Sequence, residues 1–218
     1  MKIKWYGHSS FLLTSKKGTK IITDPYQPGG YDGAIKYGKI PDIADIVLIS
    51  HSHPDHNYPQ GLSGNPEQIK KSGVSNSSGI TFNGIETFHD TSKGKERGEN
   101  IIFTFNIDDI NVCHLGDLGH SLTINQVEKI GKVDILLIPV GGFFTIDANT
   151  AKEIINILKP KITIPMHFKT EKIDFPIEKV DLFVKGLKVV NRLKESEIEI
   201  KKEGLPQEPE VIVLNNYL

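Results

Sequence analysis

The run His51-Ser52-His53-Pro54-Asp55-His56 constrains this chain more than any other feature. Three imidazoles and a carboxylate within six residues form a ligand set that zinc, manganese and iron accept. In an extended segment, positions i and i+2 point to the same side, so His51 and His53 can grip one ion. A turn at Pro54 lets Asp55 and His56 face a neighbouring position. The other five of the eight histidines (His8, His89, His114, His120 and His167) fall in or beside short motifs that read as parts of the same site. A plain alternative for the run is a polar surface loop with solvated histidines.

The pattern around the cluster is that of layered α/β structure. Residues up to Thr23 alternate apolar and polar about Lys17-Gly18, which predicts a hairpin ending at Asp24-Pro25. The Gly-, Pro- and Tyr-rich stretch from Pro25 to Gly38 is too long for a tight turn, and such loops border sites. Asp45 to Ser50 reads as a buried strand running straight into the cluster. That placement matters, because ligands in α/β layers gather at the carboxyl ends of strands. A short helix is expected over Pro66 to Lys71, followed by strands at Gly79–Phe82, Ile85–Phe88, Ile101–Asn106 and Ile110–His114. Thr123 to Ile130, stopped by Gly131, and Ala148 to Leu158, followed by Pro160, read as helices. Val133–Pro139 and Ile162–Pro165 read as buried strands. A further helix is expected from Asp174-Phe175-Pro176 to Gly186, with short strands closing the chain. Asp45-Ile46-Val47-Leu48-Ile49 and Asp134-Ile135-Leu136-Leu137-Ile138 nearly repeat one another, as two related β/α halves meeting at one site would.

Composition narrows the function classes. The 218 residues suit a single domain over 1–218. A net charge of −1 gives no bulk pull toward nucleic acid or anionic lipid. The longest apolar run, Val133 to Val140, is far too short for a membrane helix and carries Asp134. Met1-Lys2-Ile3-Lys4-Trp5 leads directly into strand alternation, so no signal peptide is expected. The single cysteine, Cys113, cannot form an internal disulfide, which fits a cytoplasmic protein, and its apolar strand predicts a buried structural thiol. The expected partner is a small-molecule substrate, with neither nucleic acid nor membrane; a homo-oligomer is left open.

Each candidate outside the run has a structural alternative. Asp24, a strand-end aspartate before Pro25, reads by itself as the cap of a turn. His89 and His167 each follow a strand, where a ligand loop belongs. Asp117 lies in Leu115-Gly116-Asp117-Leu118-Gly119, where a turn aspartate is the competing reading. His8 and His120 are read as contacts to substrate or to a ligand, and His114 as structural. Arg97 and Lys169 are candidates for holding an anionic group, against solvated surface charge. Gly141-Gly142-Phe143-Phe144 either shapes an apolar wall or packs in the core.

Gly7-His8-Ser9-Ser10-Phe11, Thr23-Asp24-Pro25, the His51–His56 run, Phe88-His89-Asp90, His114-Leu115-Gly116-Asp117 and Pro165-Met166-His167 share their order and approximate spacing with one family. The chain resembles the metallo-β-lactamase superfamily over most of its length, nearest to members resembling ascorbate 6-phosphate lactonase. The resemblance implies a four-layer αβ/βα sandwich with the site along one edge between the sheets. It implies that His51, His53 and His89 hold one metal, that Asp55, His56 and His167 hold a second, and that Asp117 bridges both. Asp24 would orient a ligand histidine from behind. The implied cofactor is zinc, one or two ions, with manganese or iron as alternatives. The implied chemistry is hydrolysis by a metal-activated hydroxide, with Asp55 and Asp117 in catalytic positions and His120 or His8 supplying the leaving group's proton. A lactone or other ester is the favoured bond. The alternatives are a phosphodiesterase of the same fold and a non-catalytic metal-binding protein. The superfamily often has Thr after the bridging aspartate; Leu118 stands there in this chain.

Overall fold

The computed structural model describes residues 1–218. The initial alternation produces β1 (Lys2–Gly7), β2 (Ser10–Thr14) and β3 (Lys20–Thr23), each antiparallel to the one before. The expected hairpin joins β2 to β3, with Gly18 at φ 92°. After α1 (Gly30–Gly33), a single turn in which Tyr31 and Asp32 are left-handed, the chain enters β4 (Ile46–Leu48), parallel to β3. β5 (Glu67–Ile69) pairs in parallel with β4. The helix expected over Pro66 to Lys71 is therefore corrected to a strand. Glu67 donates its N–H to the Asp45 carbonyl at 2.9 Å, and Ile49 donates to the Ile69 carbonyl at 3.0 Å. Pairing of β4's open edge outweighs local propensity here.

An antiparallel meander follows: β6 (Gly73–Ser77), β7 (Ile80–Phe88), β8 (Glu99–Ile107) and β9 (Ile110–His114). The two strands expected at 79–88 are one strand running through Gly84. A Cβ at Gly84 would lie 2.6 Å from the Lys71 carbonyl oxygen, so its lack of a side chain lets the backbones approach. α2 (Ile124–Ile130), β10 (Ile135–Pro139), α3 (Ala148–Leu158) and β11 (Ile162–Met166) come next, with β9, β10 and β11 all parallel. Asp147 caps α3 by accepting from the Thr150 N–H at 2.8 Å, and α3 buries Ala148, Ala151, Ile154 and Leu158. The chain closes with α4 (Val180–Val184), β12 (Val190–Arg192), β13 (Glu197–Glu199) and β14 (Glu210–Val213). The helix expected from Asp174 is only these five residues of α4. Upstream, Asp174 donates to the Ala34 carbonyl and Glu178 to the Gly141 carbonyl, committing that backbone to neighbouring loops.

The strands form a six-stranded sheet, β13-β1-β2-β3-β4-β5, and an eight-stranded sheet, β12-β14-β11-β10-β9-β8-β7-β6. Period-two alternation decides which side chains meet between them. Ile46 and Leu48 of β4 join the main core with Trp5, Phe11, Phe103 and Phe105. Val47 and the following Ile49 turn to the opposite face and pack with Tyr6, Leu12, Tyr26 and Tyr37. That face is covered mainly by the irregular 25–44 segment, so the α/β sandwich is thin in helix on this side. No helix is long and apolar enough to cross a membrane.

The repeated pentapeptide has a structural counterpart. The Asp45 carboxylate accepts the Lys20 N–H at 2.8 Å, and the Asp134 carboxylate accepts the Asn111 N–H at 2.9 Å. Each aspartate's own N–H returns to the carbonyl of the same partner. Each thus pins the start of a parallel strand pair, β3–β4 in one sheet and β9–β10 in the other. Between the sheets, His8, Asp24, the His51–His56 run, His89, Asp117 and His167 all follow the carboxyl ends of strands β1, β3, β4, β7, β9 and β11.

Candidate metal centre

Asp24, at the end of β3, is buried with φ 39° and organises one side of the centre. Its Oδ1 accepts the Ser50 N–H at 2.7 Å, and its Oδ2 accepts the Ser50 hydroxyl at 2.8 Å. The same Oδ2 lies 3.1 Å from His56 Nδ1 and 2.7 Å from His114 Nε2. Ser50 Oγ also lies 2.9 Å from His51 Nδ1. With its own proton given to Asp24, this hydroxyl accepts from the His51 ring. The network places a proton on Nδ1 of His51 and of His56 and turns each Nε2 inward. Burial would raise the Asp24 pKa, but the adjoining His114 and His56 hold it well below the usual carboxylate range.

Asp117 stands where the histidines converge. Its Oδ2 lies 3.1 Å from His56 Nε2, 3.2 Å from His89 Nε2, 3.1 Å from His167 Nε2 and 3.9 Å from His51 Nε2. Burial opposes its ionisation, yet His167 and His56 keep its pKa well below the normal value. The Asp117 N–H donates to Asn100 Oδ1 at 2.9 Å, and the Asn100 amide donates to Thr87 Oγ1 and the Leu115 carbonyl. Gly119 allows the Asp117 loop to lie against β7's end, since a Cβ there would sit 2.3 Å from the Asp90 nitrogen. Leu118, in the position often held by Thr, is fully buried among the apolar core.

Asp55 is held from both sides. His8 Nε2 lies 3.1 Å from Oδ2, and the Tyr31 hydroxyl donates to Oδ1 at 3.1 Å. Burial, with the neighbouring His167, lowers the His8 pKa to about 4. At neutral pH its ring is uncharged and Nε2–H donates to the carboxylate. The main chain of His8 reaches a second candidate ligand, its carbonyl accepting the His167 N–H at 3.1 Å. Burial would raise the Asp55 pKa, but His56 and His8 hold it well below the ordinary range. His56 is the opposite case: burial opposes its charge, while Asp117 and Asp55 raise its pKa well above normal. His51 and His53 are shifted down, chiefly by burial, with His56 adding to the first and His89 to the second.

The residues fit a divalent metal. His51, His53 and His89 offer ligand atoms within 4.8 Å of one another, as do His51, His56 and Asp117. His8, Asp55, His56 and His167 form a third such group. His51 Nε2, His56 Nε2 and Asp117 Oδ1 are buried without a hydrogen-bond partner. Buried polar atoms left unpaired each cost about 1–3 kcal/mol, and divalent cations held here would satisfy all three. A nitrogen and oxygen donor set without sulfur suits zinc, manganese or iron.

All seven candidate ligands thus come together, with Asp24 behind them. His114 is buried, as expected, and its ring serves Asp24. Arg97 lines the cavity above the centre, a space of about 250 Å³ also bordered by Tyr31, Phe144 and Phe175. Lys169 is turned elsewhere, donating to the Phe175 carbonyl at 3.1 Å and lying 3.6 Å from Asp174. His120 is also off the cavity. Its Nε2 accepts the Phe88 N–H at 3.2 Å and its Nδ1 lies 2.8 Å from the Ser121 carbonyl, so both ring nitrogens serve backbone. Tyr31, Asn100 and Asp90 were not singled out from sequence. Only Asp90 carried a local signal, an aspartate at the head of the Gly94–Gly98 turn.

Residues 2–167 match the family model described as the beta-lactamase superfamily domain. A UPF0173 metal-dependent hydrolase of Carboxydothermus hydrogenoformans is 30% identical, over 78% of this chain and 85% of its own. A UPF0173 protein of Pyrococcus furiosus is 32% identical, over 78% of this chain and 84% of its own. Among solved structures, a candidate Zn-dependent hydrolase of the metallo-beta-lactamase superfamily from Thermotoga maritima superposes with a TM-score of 0.81. It shares 40% identity, covering 98% of this chain and 97% of that one.

Proposed function

Because the chain belongs to the beta-lactamase superfamily, as the match over residues 2–167 establishes, we propose that it is a metal-dependent hydrolase with a binuclear His/Asp centre acting on an ester or lactone. One observation carries the reading: Asp117 Oδ2 lies within 3.2 Å of three Nε2 atoms, those of His56, His89 and His167, while Oδ1 has no partner. A carboxylate so placed can bridge two cations. On this reading His51, His53 and His89 hold the first ion, Asp55, His56 and His167 the second, and zinc is the favoured metal. Divalent cations held there would lower the pKa of a water toward neutrality and would polarise the substrate's oxygen.

The chain's own contribution is preorganisation. Asp24 and Ser50 fix the ring orientations of His51 and His56 through Nδ1, so each Nε2 points inward. His8 and Tyr31 fix the Asp55 carboxylate from opposite sides. The Tyr31 phenol, its pKa raised by burial and by the Asp55 charge, keeps its proton at neutral pH and remains a donor beside the cavity. The test is metal analysis of the purified protein, paired with turnover of lactones, carboxylic esters, phosphodiesters and thioesters. Two equivalents of zinc, manganese or iron and turnover of the first two classes are expected, both lost in Asp117→Ala. A metal-free protein that stays inert when each ion is supplied would sink the reading.

A further inference from the structure

Arg97 is the one Lys or Arg side chain lining the cavity over the metal centre. Its placement is built from the backbone. The Asp90 carboxylate accepts four main-chain N–H groups: Ser92 at 2.7 Å and Gly94 at 2.9 Å on Oδ1, Glu96 at 3.0 Å and Arg97 at 2.8 Å on Oδ2. Asp90 is itself buried. The 90–98 loop is therefore tied at four points to one residue that directly follows His89. The Arg97 guanidinium lies 5.8 Å from the Phe144 ring centroid, where the ring face holds a cation without neutralising it. Its nearest carboxylate, Glu96, also borders the cavity, 3.7 Å away and more than half exposed, and accepts the Ser92 hydroxyl at 2.6 Å. A contact that long to a partly solvated carboxylate is weak and leaves the guanidinium's forked donors for a ligand.

Next to Arg97 the lining is aromatic. Phe175 packs edge-on against Tyr31 at 5.3 Å and Phe144 at 5.7 Å. At roughly 30 Å³ per water-sized group, the cavity of about 250 Å³ holds a compact molecule rather than a polymer segment.

We propose that this cavity selects small organic anions: a terminal carboxylate or phosphate on Arg97, and a short apolar or aryl body against Phe144, Phe175 and Tyr31. The scissile bond is then turned to the His/Asp floor, a placement that rests on the hydrolase reading above. Asp90 is the positioning residue, acting through the loop.

The test uses zinc-loaded full-length protein, with benzoate and phenylphosphonate as anionic probes and benzyl alcohol as the neutral match, titrated by calorimetry. At least one anion is expected to bind more tightly than benzyl alcohol, and which does so identifies the head group. Arg97→Gln should weaken that anion by about tenfold or more, the scale of a charge-assisted contact, with unchanged zinc content and unchanged benzyl alcohol binding. Arg97→Lys should recover only part, because an ammonium lacks the planar fork. Anion affinity that is the same in Arg97→Gln, or no preference over benzyl alcohol, overturns the proposal. A second arm compares turnover of para-acetoxybenzoate and phenyl acetate. Preference for the carboxylated ester that collapses in Arg97→Gln supports the proposal; equal kcat/KM in the wild type overturns it while leaving the hydrolase reading intact. Arg97-dependent anion binding by a protein inert to both esters supports the anion site and counts against ester hydrolysis.

Discussion

Tyr31 and His8 grip the two oxygens of one carboxylate, and the former does so from a strained backbone. Tyr31 and Asp32 have φ 52° and 54°, a left-handed geometry costing roughly 1–2 kcal/mol per residue for side chains with a Cβ. The return is a phenol proton aimed at Asp55 Oδ1. Tyr31→Phe keeps the ring and its edge contact with Phe175 while deleting that donor. On the hydrolase reading, steady-state kinetics should show kcat reduced by about tenfold, near the 1.5 kcal/mol of a weaker hydrogen bond to a charged group, with little change in metal content. A variant with unaltered kcat would remove Tyr31 from any part in orienting Asp55. The candidate ligands of the His51–His56 run are legible in the sequence because spacing within a strand-and-turn segment brings them together locally. Tyr31 and Asn100 are not, because their partners lie far along the chain: Tyr31 meets Asp55 across 24 residues and Asn100 meets Asp117 across 17. His120 shows the converse. A histidine beside a motif invites a proton-transfer reading, and only the fold reveals that backbone occupies both nitrogens.

At the scale of elements, alternation and capping predicted the strands that bury both faces and the two best-capped helices. Errors collect where a partner decides the conformation. Pro66 to Lys71 lacks strong strand character but completes the edge of β4, and Gly84 reads as a break although the strand continues through it. The pentapeptide echo was more informative than its length suggests, since Asp45 and Asp134 perform the same anchoring in the two sheets. Asp134 takes three donors, the Asn111 N–H, the Asn111 side-chain amide and Lys202 Nζ, each at 2.9 Å. Asp134→Ala should therefore destabilise the protein by about 2 kcal/mol at neutral pH, read from urea unfolding midpoints. These bonds hold the Asp134 pKa below its normal value, desolvation notwithstanding. A depressed carboxylate contributes its stability above the unfolded pKa of about 3.9 and loses it as pH falls through the folded one. The wild-type advantage should thus be the same at pH 7 and pH 5, both estimates lying above about 3.9, and should shrink only in stronger acid. An advantage that grows on acidification would contradict the assignment.

For the whole molecule, the centre is a seam. Asp24 and the His51–His56 run belong to the six-stranded sheet's loops, whereas His89, Asp117 and His167 follow strands of the eight-stranded one. Seven candidate ligand side chains from two sheets crowd together there with several polar atoms unpaired, a local cost that a bound cation would relieve. A cation that binds only the folded chain stabilises it by mass action, about 2.7 kcal/mol at a hundredfold excess over Kd. In a chain of this size each kcal/mol raises Tm by roughly 2–4 °C, so chelation should lower Tm by about 5–10 °C. Zinc or manganese returned to the chelated protein should restore the transition in scanning calorimetry. Magnesium at the same excess should not, because it prefers oxygen ligands and keeps its waters, while this centre is built mainly of imidazole. Recovery with magnesium would point instead to generic screening of the acidic groups. Recovery with zinc that persists fully in a His51→Ala, His167→Ala double variant would place the stabilising ion elsewhere, because those two substitutions take one ligand from each side of the seam.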